Sequence, residues 1–300
     1  MLRQRLRNLA PNHASAVPRD APAGRADNGS ADGARGDDRI RGDRTGLRGD
    51  DTLGQSFWDR VDHLRSLWAA HQQRWPRSAA RDRSRADDPA GSWRGPGDRT
   101  LSADENTQAD QVIGLLQECE KTVTARLEEL QSQSPFGARL VGLEHRCKGP
   151  DRLKEKIAVG LQVEDVTGVA EATVSIFDAV RYTFCLGVED YAEGYADMHE
   201  RLESAGYRMI FRANRWTGDP EYRGMNTRWV TPEGDRFELQ FHTSESFFAK
   251  ESLTHDAYER IRDQKTTKSE LDELRTYQRE VCAAVPAPDG IGDILDVRPR

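Results

Sequence analysis

The sequence predicts an α+β fold: a mixed β-sheet of about five strands flanked by helices, preceded by a largely disordered N-terminal region. Three observations predict it. Residues 1–52 are rich in Arg, Asp, Gly and Ala and almost devoid of large apolar side chains, so they bury too little surface to offset their ordering entropy. From about residue 106 onward, apolar residues recur at helical and strand periods. The resulting order, α-β-α-β-α-β-β-β-α-α, builds a mixed sheet with helices packed against it.

The elements follow in order. Phe57, Val61, Leu64, Leu67 and Trp68 fall at helical spacing and predict one amphipathic helix near 55–75, able to dock on the main domain or on a partner. Residues 76–105 have the polar, Pro- and Gly-containing composition of a linker. Val112, Leu115, Leu116, Cys119, Val123, Leu127 and Leu130 line one face of a long helix. Ala138–Glu144 reads as a short strand, and Pro150 opens a helix to about 162. Val174–Leu186 is a β-rich run. A helix over 190–205 ends at Gly206, suited to the left-handed position after a helix. Three strands follow at Tyr207–Arg212, Asn226–Thr231 and Arg236–Thr243, the last two joined by a turn at Glu233-Gly234-Asp235. Two helices, about 245–262 and 267–284, complete the domain. The chain thus divides into a low-complexity segment 1–105 carrying one helix, a folded domain 106–285 and a C-terminal tail 286–300.

Bulk properties narrow the function classes. The net charge of −7 argues against duplex DNA as the main partner. Cys119, Cys147, Cys185 and Cys282 are too few and too scattered for a disulfide framework or a CxxC metal site. No window reaches the roughly 18 apolar residues of a membrane span. The basic start, MLRQRLRNLA, lacks a following apolar stretch. A cytoplasmic protein with no membrane partner is expected. The tail is a candidate contact for a protein partner or a second copy of the chain.

Four constellations carry candidate chemistry. In Arg146-Cys147-Lys148-Gly149-Pro150-Asp151-Arg152-Leu153-Lys154-Glu155-Lys156, Arg146 and Lys148 lie two apart at a strand end, and Arg152 and Lys156 share a helix face. With the helix N-terminus they make either a cradle for a triphosphate or a solvated basic face. In Phe237–Thr243, alternation sends Phe237, Leu239 and Phe241 to the core and Glu238, Gln240 and His242 to the other face, which is plain surface or one wall of a cleft. Asp178, in a β-rich run, needs a cation or donors if buried; Arg181 and a metal ion are the candidates. The long loop Asn214–Asn226 holds Tyr222, suited to stacking on a base, and Arg223, suited to a phosphate.

Together these residues resemble the synthetase domain of the RelA/SpoT family, over roughly residues 110–285. That family has R-x-K followed by a helix with residues at +6 and +10, matched by Arg146, Lys148, Arg152 and Lys156; Arg152 replaces the usual Ser. An Asp leading to an Arg is matched by Asp178 and Arg181, three apart rather than five. A Tyr-Arg pair is matched by Tyr222 and Arg223, in Glu221-Tyr222-Arg223-Gly224-Met225-Asn226 where the family has G-Y-R-S-L-H. E-x-Q-x-[RH]-T is matched by Glu238, Gln240, His242 and Thr243, and a final helix by His255 and Tyr258. The hydrolase half of long family members, with its several-His metal site, is absent from the sequence.

The resemblance implies a nucleotidyltransferase-like synthetase fold and a nucleotide 3′-pyrophosphokinase. Such an enzyme moves pyrophosphate from ATP to the 3′-hydroxyl of a purine nucleotide, making (p)ppGpp- or (p)ppApp-type alarmones. It implies catalytic roles for Asp178, Glu238 and Arg181, with Mg2+ held by Asp178 and Glu238. It puts Arg146, Lys148, Arg152 and Lys156 on the donor phosphates. Tyr222, Arg223, Asn226, Gln240, His242 and His255 fall to the acceptor. In the stacking role the Tyr222 ring is what matters, so phenylalanine is expected to replace it. Two alternatives stand beside this: a toxin-type pyrophosphokinase acting on tRNA 3′ ends, and a non-catalytic nucleotide- or partner-binding domain.

Overall fold

In the computed structural model, residues 56–77, 90–162, 166–263 and 265–298 are described. The expected disorder of 1–52 lies outside these residues. The main sheet has five strands in the order β3-β4-β7-β6-β5: β3 Arg139–Val141, β4 Arg181–Leu186, β5 Arg208–Asn214, β6 Met225–Val230 and β7 Arg236–Thr243. It is mixed. β4 and β7 run parallel and the other neighbours antiparallel. This is the predicted α+β sheet flanked by helices.

The apolar face of the sheet makes the core. Tyr182 and Phe184 from β4, Phe237, Leu239 and Phe241 from β7, and Met225 and Trp229 from β6 are all buried. Against them lie α2 (Ala103–Gln133) and α5 (Tyr191–Ser204). The Tyr182 hydroxyl donates to the Glu120 carbonyl of α2 at 3.0 Å, and Tyr191 donates to the Phe241 carbonyl at 2.7 Å. Local signals set the boundaries. Ser102 and Glu105 form a reciprocal capping box that starts α2. Gly206 sits at φ 83° after α5 and Gly234 at φ 92° in the β6–β7 turn, both at positions where a Cβ is strained.

The helix predicted near 55–75 is α1 (Phe57–Arg74), and it docks on the domain. It packs on α8 (Lys268–Ala284), with Trp68 stacked on Tyr277 at 5.4 Å between ring centroids. Glu273 of α8 accepts from Arg74 at 2.6 Å and pairs with His71 at 2.8 Å.

Three expectations are corrected. Part of the segment read as a linker is folded: β1 (Trp93–Arg94) and β2 (Thr100–Leu101) pair as a small hairpin. Trp93, 1% exposed, is buried there and donates to Asp151 at 3.0 Å. The run from Val174 does not begin a strand. Val169–Val174 is a short helix, α4, packed beside α3 (Pro150–Leu161), and a 3-10 turn over Phe177–Ala179 precedes β4. The helix after β7 is interrupted: α6 (Ser244–Phe248), a π-helical turn (Ala249–Thr254) and α7 (His255–Arg262) run end to end. The C-terminal tail folds back on β5, where Val297 and Arg212 exchange backbone hydrogen bonds of 2.8 and 2.9 Å. No helix among the described residues is long and apolar enough to cross a membrane.

Candidate active site

Strand register assembles the polar face. Arg181 on β4, Glu238 on β7, Arg228 on β6 and Phe211 on β5 are successive register partners, so their side chains form one row across the sheet. The next row is Thr183, Gln240, Asn226 and Ala213, and beyond it Cys185 pairs with His242. Five residues singled out from the sequence thus share one sheet face: Arg181, Glu238, Gln240, Asn226 and His242.

Asp178 is not in a strand. It sits on the 3-10 turn just before β4, and Val180, two residues on, accepts the Glu238 backbone N–H at 3.0 Å. Its carboxylate is buried between two of the predicted phosphate cations. Lys156 donates to both oxygens at 3.0 and 2.9 Å, and Lys148 lies at 3.2 Å. Burial alone would raise the Asp178 carboxyl, but Lys148 and Lys156 hold it below the usual carboxylate range. Burial also pulls Lys148 below the ordinary lysine value, against the support of Asp178.

The other two cations point elsewhere. Arg146 pairs with Glu120 of α2 and donates to the Leu143 carbonyl. Arg152 pairs with Glu155 at 3.2 Å and with Glu259 of α7 at 3.6 Å. Every one of the four therefore has a carboxylate partner.

On the acceptor side, the Tyr222 hydroxyl reaches the sheet, 3.0 Å from Asn226 Oδ1 and 2.9 Å from His242 Nε2. Its ring meets the His242 imidazole edge-on at 5.6 Å. Arg223 turns back into its own loop, donating to the Asp219 and Tyr222 carbonyls. His255 opens α7, within electrostatic reach of Glu251.

Sequence reading missed Lys250 and Glu251. They pair on the π-helical turn, and about a fifth of each side chain is exposed. Burial pushes the Glu251 carboxyl up, but Lys250, Arg181 and His255 together hold it down at about 2. Burial lowers Lys250, and Arg181 lowers it further, while Glu251 and Glu238 oppose. The two thus belong to the same electrostatic cluster as Arg181 and Glu238. Adjacent charges in a predicted helix read as solvated surface; the π turn, often found at functional sites, carries no sequence signal of its own. Arg228 was also missed, though strand alternation places it beside Glu238. Its guanidinium lies between the Phe177 and Phe211 rings, 4.7 Å from each centroid.

A divalent metal would draw its ligands from these side chains. Among the described residues no group of three or more His, Cys, Asp or Glu side chains is arranged to hold one. Asp178 and Glu238 supply two carboxylates, and Gln240 adds a buried Oε1 with no hydrogen-bond partner, next to Glu238. Magnesium bound through one or two carboxylates and substrate phosphates needs no fuller cage. Carboxylate and amide oxygens are the donor types that ion takes.

No protein-family profile matches the chain, and no curated protein does. Solved structures similar to it include the Type VI effector Tas1 in complex with its immunity protein, 21% identical, covering 59% of this chain and 96% of that one, with a TM-score of 0.42. The small alarmone synthetase 1 from Bacillus subtilis, bound to its product pppGpp, is 10% identical over 59% of this chain and 92% of its own, also at 0.42. A GTP pyrophosphokinase family protein from Streptococcus pneumoniae is 17% identical over 58% and 83%, at 0.38. Scores below 0.5 say nothing of individual residues.

Proposed function

We propose that the chain is a nucleotide 3′-pyrophosphokinase, transferring pyrophosphate from ATP to the 3′-hydroxyl of a purine nucleotide. One observation carries the reading. Arg181, Glu238, Asn226, Gln240 and His242 share one sheet face, and the Asp178 carboxylate with Lys148 and Lys156 sits at the turn that leads into β4. Transfer between polyphosphates requires positioning and charge neutralisation more than covalent catalysis.

In this reading Lys148 and Lys156 exchange Asp178 for the donor's phosphates, and Arg146 and Arg152 join them by leaving Glu120, Glu155 and Glu259. The acceptor base stacks on Tyr222, with Arg223, Asn226, Gln240 and His255 on that side of the cleft. The 3′-oxygen forms a bond to the β-phosphorus of ATP. The bond from that phosphorus to the α–β bridging oxygen breaks, and its electron pair leaves with AMP. Glu238 takes the hydroxyl proton in this reading, and Arg181, its register partner, neutralises charge on the transferred group. Asp178 and Glu238 would hold magnesium, which when bound supplies Lewis-acid neutralisation of the phosphate oxygens.

The test is the purified chain with ATP, Mg2+ and, separately, GDP, GTP, ADP, AMP and tRNA, with products resolved by anion exchange. AMP formed in step with a 3′-pyrophosphorylated nucleotide is expected. Release of AMP with none of the acceptors would overturn the proposal, and product on tRNA alone would move it to the tRNA-directed alternative.

A further inference from the structure

Tyr222 is tied to the helix after β7 by a continuous series of short hydrogen bonds. The Thr243 N–H donates to Ser246 Oγ at 2.9 Å. Ser246 Oγ and His242 Nδ1 are 2.9 Å apart, and His242 Nε2 and the Tyr222 oxygen also 2.9 Å. Tyr222 in turn donates to Asn226 Oδ1 at 3.0 Å. His242 is 0% and Ser246 1% exposed, while Tyr222 is half-buried. Gly224 closes the site: a Cβ there would stand 2.5 Å from His242 Cε1.

Proton counting gives the series a direction. If Ser246 donates to Nδ1 and the Nε2–H donates to the Tyr222 oxygen, Tyr222 keeps its own proton for Asn226 Oδ1, and each donor is used once. The 3.2 Å approach of Ser246 Oγ to the Thr243 carbonyl is then a contact only. In the reverse direction Ser246 donates to the Thr243 carbonyl and Tyr222 to Nε2, and Asn226 has to turn its amide N–H to the phenol oxygen in place of the Oδ1 that Tyr222 meets at 3.0 Å. The imidazole is therefore neutral and protonated on Nε2, a tautomer assigned from the network. Its surroundings favour that state. Burial disfavours a second proton, as do Lys250 and Arg181, against the opposing pull of Glu251 and the Arg223 backbone.

We infer that His242 and Ser246 are positioning residues for Tyr222: they hold the phenol upright on the sheet, so that its ring face is presented to the acceptor base, and neither touches the nucleotide. This rests on the acceptor role given to Tyr222 above, and it changes two expectations. His242 acts through Tyr222 rather than as a substrate contact. Tyr222→Phe is not silent, because it removes the oxygen on which the series turns.

The experiment compares wild type, Tyr222→Phe, Ser246→Ala and the double variant. Acceptor KM, ATP KM and kcat are measured together with the 15N shifts of the His242 ring. Each single change should raise acceptor KM roughly three- to tenfold, the effect of one broken hydrogen bond. ATP KM should not move. The double variant should be no worse than the worse single one, since both break the same series. The ring should be neutral with its proton on Nε2 in wild type and lose that single tautomer in Ser246→Ala. Multiplying KM effects, wild-type KM in Tyr222→Phe, or a ring protonated on Nδ1 or cationic at pH 7 would each overturn the inference. The ring spectrum needs no turnover, so a chain inactive on every acceptor counts against the proposed function alone. Ser246 also caps α6. Should Ser246→Ala unfold, Tyr222→Phe decides, because it leaves that cap intact.

Discussion

Lys156 reaches across from α3 and holds both carboxylate oxygens of Asp178, at 3.0 and 2.9 Å. Lys148 approaches the same carboxylate at 3.2 Å. In this state Asp178 occupies the charge of two groups that the sequence set against donor phosphates. A triphosphate entering here trades one anion for another, so the cations need not be desolvated a second time.

The two lysines should behave differently on removal. Lys156 is 25% exposed and Lys148 only 6%. Lys156→Ala should raise ATP KM about ten- to a hundredfold, the range for a lost charge-assisted hydrogen bond, with little change in melting temperature. Lys148→Ala breaks a buried pair and should cost about 3–5 kcal/mol of stability besides. Steady-state kinetics and urea denaturation of both variants check this. Unaltered ATP kinetics in Lys156→Ala would return the basic face to solvent.

Glu238 sits in register between Arg181 and Arg228, and its Oε1 accepts from Gln240 at 2.6 Å. Glu238→Gln keeps the shape and loses the charge. It should cut kcat by at least about a hundredfold, the scale of a lost general base, while ATP binding by calorimetry stays within a few fold. A kcat within threefold of wild type would remove Glu238 from the chemistry.

Much of this arrangement was legible before any coordinates. The alternation of Phe237–Thr243 correctly separated core from polar face, and Gly206 and Gly234 marked their turns. The failures have physical causes. Thr173 and Val174 look strand-forming in isolation, yet α4 is stabilised by packing on α2 and α3. Trp93 lies in a polar stretch, and it joins a core built from distant residues, its indole donating to Asp151, 58 residues away. The partners of Asp178 were sought nearby at Arg181, while the lysines that hold it come from 30 and 22 residues earlier in the chain. Spacing placed Arg181, Glu238, Gln240, Asn226 and His242 on strands that share one sheet face. It could not show which charges neutralise one another.

Gly224 is confined by the His242 ring rather than by its backbone angle. An added Cβ would be 2.5 Å from Cε1 and 3.0 Å from both ring nitrogens. Gly224→Ala should therefore cost about 1–3 kcal/mol through overpacking and raise acceptor KM, with ATP KM held. Thermal melts and kinetics with each substrate measure it. A variant as stable and as active as wild type would mean that the loop moves aside freely.

Acid should separate two carboxylates that share one pH window. Glu251, on the π turn, and Glu273, on α8, are each held down at about 2 from an ordinary 4.5. For Glu251 the cause is Lys250, then Arg181, overcoming burial; for Glu273 it is chiefly the Arg74 hydrogen bond, then Trp75 and His71. A depressed carboxyl stabilises the folded state above its unfolded value, and that contribution drains away as pH falls from about 4.5 through about 2. Glu251→Gln and Glu273→Gln should both flatten the loss of stability across this window in urea titrations. What they release differs. Glu273 bonds to Arg74, His71 and Trp75 at the C-terminal end of α1, so its variant should speed amide hydrogen exchange in α1 while the sheet stays protected. Glu251 lies inside the site cluster, so its variant should leave α1 protected and impair turnover. Unchanged α1 exchange in Glu273→Gln would show that the docking of α1 does not depend on this clamp.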